Sequence, residues 1–289
     1  MPLLVYYGGY LISFFLLSYF LQMFAGTVGA KATSGVVEAE KMFGEYKETV
    51  TGLVNGISML IGAALIIPML REELYEYRRE WGDGAAAASR REKLQGWHKA
   101  VILLLTVIAA IASSLGLNIL LSLTGLVQNS AGYQQTVQRQ YGVVFGIGLF
   151  LYTVVSPFAE EVVFRGVIYN RLRQSFCGAG NGGGLFGGRA PAILLSGLLF
   201  GIYHGNMVQG VYGCCMGVLI SYLYERTHAF YIPCLFHAAA NCVVYLMAQH
   251  AAVQEKIFTV PCCVMLLVVT FLTIYLIERQ LKLAFYQKF

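Results

Sequence analysis

The chain has 289 residues, of which 57% are apolar and 12% charged, with a net charge of +5. A soluble domain carries about 25% charged residues, so this composition, with a mean hydropathy of +0.64, excludes a soluble fold and points to an integral membrane protein. Continuous rather than alternating apolar runs exclude a membrane β-barrel. The basic residues are spread along many connecting segments, which excludes a nucleic-acid partner.

Apolar segments near 4–25, 52–70, 100–125, 142–170, 191–207, 208–225, 230–249 and 257–277 predict an all-α polytopic membrane helix bundle of about eight transmembrane helices. The first segment lacks a basic leader and is too long and aromatic for a signal peptide, so an uncleaved first span is expected. Residues 27–50, with Glu38, Glu40, Lys41, Glu45, Lys47 and Glu48, predict a short interfacial helix. Residues 71–99 form a charged connector: a helix up to Trp81, a break at Gly82-Asp83-Gly84, then an alanine run and a basic stretch. Trp81 and Trp97 are placed to anchor it at the headgroups.

The next long segment, 142–174, has 33 residues. As a helix it would be about 50 Å long, too long for one upright crossing, and Pro157 either kinks or breaks it. The glycine-rich 178–188 lacks the GK[ST] of a phosphate loop and reads as a connector. Three regions result: 1–141 with three spans and the connector, 142–249 as a core, and 250–289 with the last span and a basic tail. Fourteen Lys and Arg then fall on the amino-terminal side of the membrane and five on the other (Lys31, Lys41, Lys47, Arg139 and Lys256), with Arg165 left out as intramembrane. Both termini are expected in the cytoplasm. Six of the seven cysteines lie within spans and no CxxC occurs, so they read as packing residues.

The core carries charge where lipid would exclude it. Glu160, Glu161 and Arg165 lie in PFAEEVVFRG, at roughly 2.5–3.5 kcal/mol each by the lenient insertion scale. Glu161 and Arg165 are i and i+4, spaced for an ion pair. Glu160 is turned about 100° away on a 3.6-residue helix; with no partner of its own at helical spacing, it is free to face a cavity. Two adjacent carboxylates in a low dielectric cannot both ionise cheaply, which suits one of them to take a proton from water. FGIYH puts His204 four residues after Phe200, with Gly201 and Gly205 leaving room for a neighbouring chain. In HAAAN, His237 and Asn241 share a face, and their N–H groups suit an oxyanion hole.

The runs EEVVFRG, FGIYH and HAAAN resemble the EExxxR, FxxxH and HxxxN signatures of the CAAX protease and bacteriocin-processing family of intramembrane endopeptidases. That resemblance, over about 150–245, implies an intramembrane endopeptidase in which Glu160 and His204 activate water. His237 and Asn241 would hold the oxyanion, and Glu161 with Arg165 would shape the site. Members are often labelled metalloproteases; for this chain no required cofactor and no metal ligand are expected, with zinc on Glu160, His204 and His237 as the alternative.

Other intramembrane proteases are excluded by residues. There is no HExxH, Asp83 is the sole aspartate, and Ser196-Gly197 follows two leucines rather than completing a GxSG. The expected partners are the bilayer and a membrane-associated or lipidated peptide or protein. The expected location is a bacterial plasma membrane, favoured by minimal tails, with bacteriocin immunity among the implied roles. A non-catalytic scaffold or a transporter is the rival reading.

Overall fold

A computed structural model describes residues 2–30, 44–82, 96–177 and 188–286, and all its regular structure is helical. In chain order the helices are α1 (Pro2–Ala30), α2 (Lys47–Leu65), α3 (Ile67–Gly82), α4 (Trp97–Leu123), α5 (Leu126–Asn129) and α6 (Ala131–Tyr141). Next comes α7, which joins Phe145–Phe150, Leu151–Val155, Ser156–Glu161, Val162–Tyr169 and Asn170–Cys177 end to end. After it follow α8 (Ala190–Tyr203), α9 (Met207–Thr227), α10 (Tyr231–Ala248), α11 (Ala251–Ile257) and α12 (Val260–Tyr286).

Among the described residues seven helices are long and apolar enough to cross a membrane, and α8 is a shorter apolar helix of 14 residues. The protein is an integral membrane protein built as an all-α bundle. Side chains such as Phe15, Phe20, Met265 and Phe271 on α1 and α12 remain exposed, as lipid-facing surfaces require. The interfacial helix expected in 27–50 falls mostly on 31–43, and the expected alanine run and basic stretch fall within 83–95. Both lie outside the described residues.

Pro157 does not break α7. Its two flanking segments, Leu151–Val155 and Val162–Tyr169, are π-helical, with Ser156–Glu161 α-helical between them. Proline removes a backbone donor and crowds the preceding turn, and a widened turn lets the helix continue past it. At the start of α7, Thr49 Oγ1 accepts from Val144 N–H at 3.0 Å, tying it to α2.

Helix α8 is short because the chain turns after it. His204 closes it, and Gly205 turns the chain with φ +71°. At Gly205 no neighbouring helix uses the room expected for a helix or substrate backbone: nothing stands within 4 Å of a Cβ built there, and the left-handed φ itself favours glycine. Gly201, in contrast, does admit a neighbour. A Cβ there would overlap Cys214 Sγ and the Gly210 carbonyl of α9, and one on Gly217 would stand 2.9 Å from Gly197 Cα. Small residues at these four positions let α8 and α9 pack backbone to backbone.

Gly201→Ala is therefore expected to cost about 1–3 kcal/mol by overpacking and to lower the melting temperature in detergent. Gly8→Ala, with nothing within 4 Å of the added carbon, serves as the control. Equal melting of the two variants would contradict the backbone-to-backbone contact.

Candidate active site

The polar groups of the core come from α7, α8 and α10. Glu161, Arg165 and Glu160 lie on α7, His204 at the end of α8, and His237 with Asn241 one turn apart on α10. Burial of Ala159, Val163, Phe164 and Phe200 in one cluster with Tyr6 and Met59 fixes α7 against α1, α2 and α8.

Glu161 and Arg165 are fully buried and paired, Arg165 Nη1 donating to Glu161 Oε1 at 2.8 Å. Arg165 Nη2 donates to the Gly217 carbonyl of α9 at 3.0 Å, and its guanidinium lies 4.6 Å from the Phe200 ring centroid. His237 Nδ1 stands 2.7 Å from the same Glu161 oxygen. A carboxylate that already accepts from arginine can only accept again, so Nδ1 carries the hydrogen and Nε2 is left to face the cavity.

Glu160 turns the other way, as the 100° offset expects. Its Oε1 accepts from Ser156 Oγ at 2.7 Å, and its Oε2 lies 3.7 Å from His237 Nε2. The expectation that Glu160 has no partner at helical spacing is corrected here: Ser156 is i−4, and its hydroxyl is that partner. His204 Nδ1 bonds the Phe200 carbonyl at 2.8 Å. Since a carbonyl only accepts, Nδ1 is the donor and Nε2 the ring's acceptor. The Phe200 ring meets both histidines edge to face, with centroids 4.9 Å from His204 and 5.5 Å from His237. Asn241 Nδ2 donates to the Tyr152 carbonyl at 3.1 Å.

Four of the six motif residues, Glu160, His204, His237 and Asn241, line one cavity of about 160 Å³. Glu161 and Arg165 do not line it; they stand behind His237 and hold it. The rest of the wall includes Tyr152, Tyr212 and Tyr245 from the spans and Tyr133, Gln140 and Tyr141 from α6, with aliphatic side chains such as Leu121, Val208 and Met216 between them. Burial pushes the Tyr133 and Tyr141 hydroxyls above the usual tyrosine range, so both stay neutral donors at physiological pH. The motif reading did not pick out α6. Its signal was present in the spacing, since residues 133, 140 and 141 are i, i+7 and i+8, one face of a helix.

A zinc site needs three protein donors and an open position. Among the described residues no three His, Cys, Asp or Glu side chains are grouped to hold a metal. The Nδ1 atoms of His204 and His237 are engaged by Phe200 and Glu161, which leaves Nε2 as each ring's only nitrogen for a metal, and these nitrogens are not grouped with a third donor among the described residues. As arranged, these side chains do not form a zinc site.

Residues 142–243 match the family model described as Type II CAAX prenyl endopeptidase Rce1-like. The resemblance carried by the three motifs is thereby shown. All six motif residues fall within the matched segment. A Bacillus subtilis (strain 168) protein named "Putative membrane peptidase YdiL" is 26% identical over 157 residues, covering 46% of this chain and 58% of the relative. The match thus spans less than two thirds of that relative's length. No solved structure matches. Ser156, Tyr152 and the α6 face extend the cavity wall beyond the motif residues.

Proposed function

We propose that the chain is an intramembrane endopeptidase that hydrolyses a peptide bond with water activated by Glu160. The observation that carries this reading is the convergence of Glu160, His204, His237 and Asn241 on one cavity within a membrane-spanning bundle. The Rce1-like match and the name of the Bacillus relative support it.

Glu160 Oε2 takes one proton from water while His204 Nε2 orients that water by accepting a hydrogen bond from its other O–H, which stays on the oxygen. The hydroxide adds to the scissile carbonyl carbon. The oxyanion then receives hydrogen bonds from the cavity-facing nitrogen of His237 and from Asn241 Nδ2. Glu160 returns its proton to the amide nitrogen, the C–N bond breaks, and a carboxylic acid and an amine leave.

Glu161 serves by holding His237 Nδ1. For Nε2 to donate as well, His237 holds a hydrogen on both nitrogens, with Glu161 Oε1 at 2.7 Å from Nδ1 and Glu160 Oε2 at 3.7 Å from Nε2 beside it. No metal takes part in this scheme.

The substrate is a membrane-associated or lipidated peptide or protein. The setting is a bacterial plasma membrane with both termini in the cytoplasm, supported by the excess of Lys and Arg on that side; bacteriocin immunity is one role that fits.

The test is cleavage of a peptide library by detergent-purified protein, wild type beside Asn241→Ala, before and after dialysis against a zinc chelator with metal analysis. Asn241→Ala is expected to lower kcat by about 10²–10³-fold. Wild-type activity is expected to survive in metal-free protein. Full turnover by Asn241→Ala would remove the oxyanion role, and activity restored only by added zinc would replace the metal-free scheme.

A further inference from the structure

Among the described residues the Asn241 amide shows no side-chain partner. It bonds a main-chain carbonyl in the interior of α7, which a regular helix would already have satisfied. The explanation lies one turn further along α7. In the π-helical Leu151–Val155 the N–H groups reach five residues back, and the Ser156 N–H accordingly donates to the Leu151 carbonyl. In that register the Tyr152 carbonyl falls to the N–H of residue 157. Residue 157 is proline and has none. Asn241 Nδ2 fills the vacant place from α10 at 3.1 Å. Because the amide is planar, fixing one of its N–H groups on Tyr152 also fixes the direction of the second, and Asn241 lines the cavity.

We propose that Pro157 is a positioning residue. By withholding an N–H from the Tyr152 carbonyl, it leaves that carbonyl to orient the Asn241 amide towards the cavity. The consequence for turnover rests on the oxyanion role given to Asn241 under Proposed function; the positioning itself does not.

The experiment uses the full-length protein in detergent, labelled with ¹⁵N on the asparagine side chains, wild type beside Pro157→Ala. Alanine restores the N–H, which competes with Asn241 for the Tyr152 carbonyl. The Asn241 side-chain amide signal, assigned by its loss in Asn241→Ala, is expected to shift while those of Asn118 and Asn206 stay. An unmoved Asn241 signal would overturn the proposal.

A second measurement needs no substitution at 157, so it stands even if Pro157→Ala does not fold. In wild-type protein also carrying ¹³C at tyrosine carbonyls, solid-state dephasing between tyrosine carbonyl and asparagine side-chain nitrogen is expected, and part of it should vanish in Asn241→Ala. Dephasing that is unchanged in Asn241→Ala would likewise overturn the proposal.

On a peptide cleaved by the wild type, Pro157→Ala is expected to lower kcat with KM unchanged, by a part of the about 10²–10³-fold lost on removing an oxyanion donor. It should cost nothing further in an Asn241→Ala background. An equal further loss in that background would show that Pro157 acts elsewhere. If Asn241→Ala itself turns over normally, the oxyanion reading fails while the spectroscopic result still decides the positioning.

Discussion

Glu160→Gln is expected to lower kcat by about 10²–10⁴-fold, the range that a positioned general base contributes, while the protein inserts and melts like the wild type. Glutamine keeps the shape of the side chain, and its Oε1 can still accept the Ser156 hydroxyl that stands 2.7 Å from the carboxylate. What it cannot do is take a proton from water. Glu160 is 6% exposed and lines the cavity, whereas Glu161 is fully enclosed. The neighbouring substitution Glu161→Gln should therefore act mainly on stability. Single-turnover cleavage of one library-derived peptide, measured beside melting temperature for both variants, separates the two roles. Undiminished cleavage by Glu160→Gln would end the assignment of Glu160 as base.

The second large effect falls on Arg165. It is the largest fully buried side chain among the described residues, and it binds Glu161 and the Gly217 carbonyl at once. Arg165→Ala leaves a buried carboxylate without its counter-charge and is expected to cost about 3–5 kcal/mol, seen as a large fall in melting temperature in detergent. Lysine should rescue only part of this, because it lacks the planar fork that reaches two acceptors in different directions. Replacing both charges with apolar residues of similar volume, as in Glu161→Leu with Arg165→Met, should recover much of the stability. It would remove the anchor of His237 Nδ1 and with it the activity. An Arg165→Ala protein that melts like the wild type would show that the pair is dispensable to the bundle.

The membrane class and the spans were legible because lipid imposes a simple rule: a run of about 20 apolar residues without charge. The same rule made Glu160, Glu161 and Arg165 conspicuous, and helical spacing foretold the 161–165 pair. The details of α7 were less accessible. Whether Pro157 breaks or bends a helix depends on what surrounds it, and the π-helical register of Leu151–Val155 has no signature in composition. Ser156 was overlooked although its spacing to Glu160 is the ordinary i, i+4, because serine is common in membrane helices and usually bonds its own backbone. The α6 face was harder still. NSAGYQQTVQRQY reads as a polar connection, and only the tertiary structure brings Tyr133, Gln140 and Tyr141 over the cavity. The contact between Asn241 and Tyr152, 89 residues apart, could not be read from sequence at all.

The cavity's size restricts what can enter it. At about 160 Å³ it is close to the benzene-sized hole made by deleting one large core side chain, whereas an α-helix with its side chains is about 10–12 Å across. On the proposed endopeptidase reading, a polypeptide would reach Glu160 as an unwound strand, a residue or two at a time. Inside a bilayer, unwinding strips backbone groups of their hydrogen bonds at several kcal/mol per group. That penalty falls on the segment being cut. Selection would then act on how easily a segment frays, so glycine, proline or a helix end near the scissile bond would count for more than the side chains flanking it.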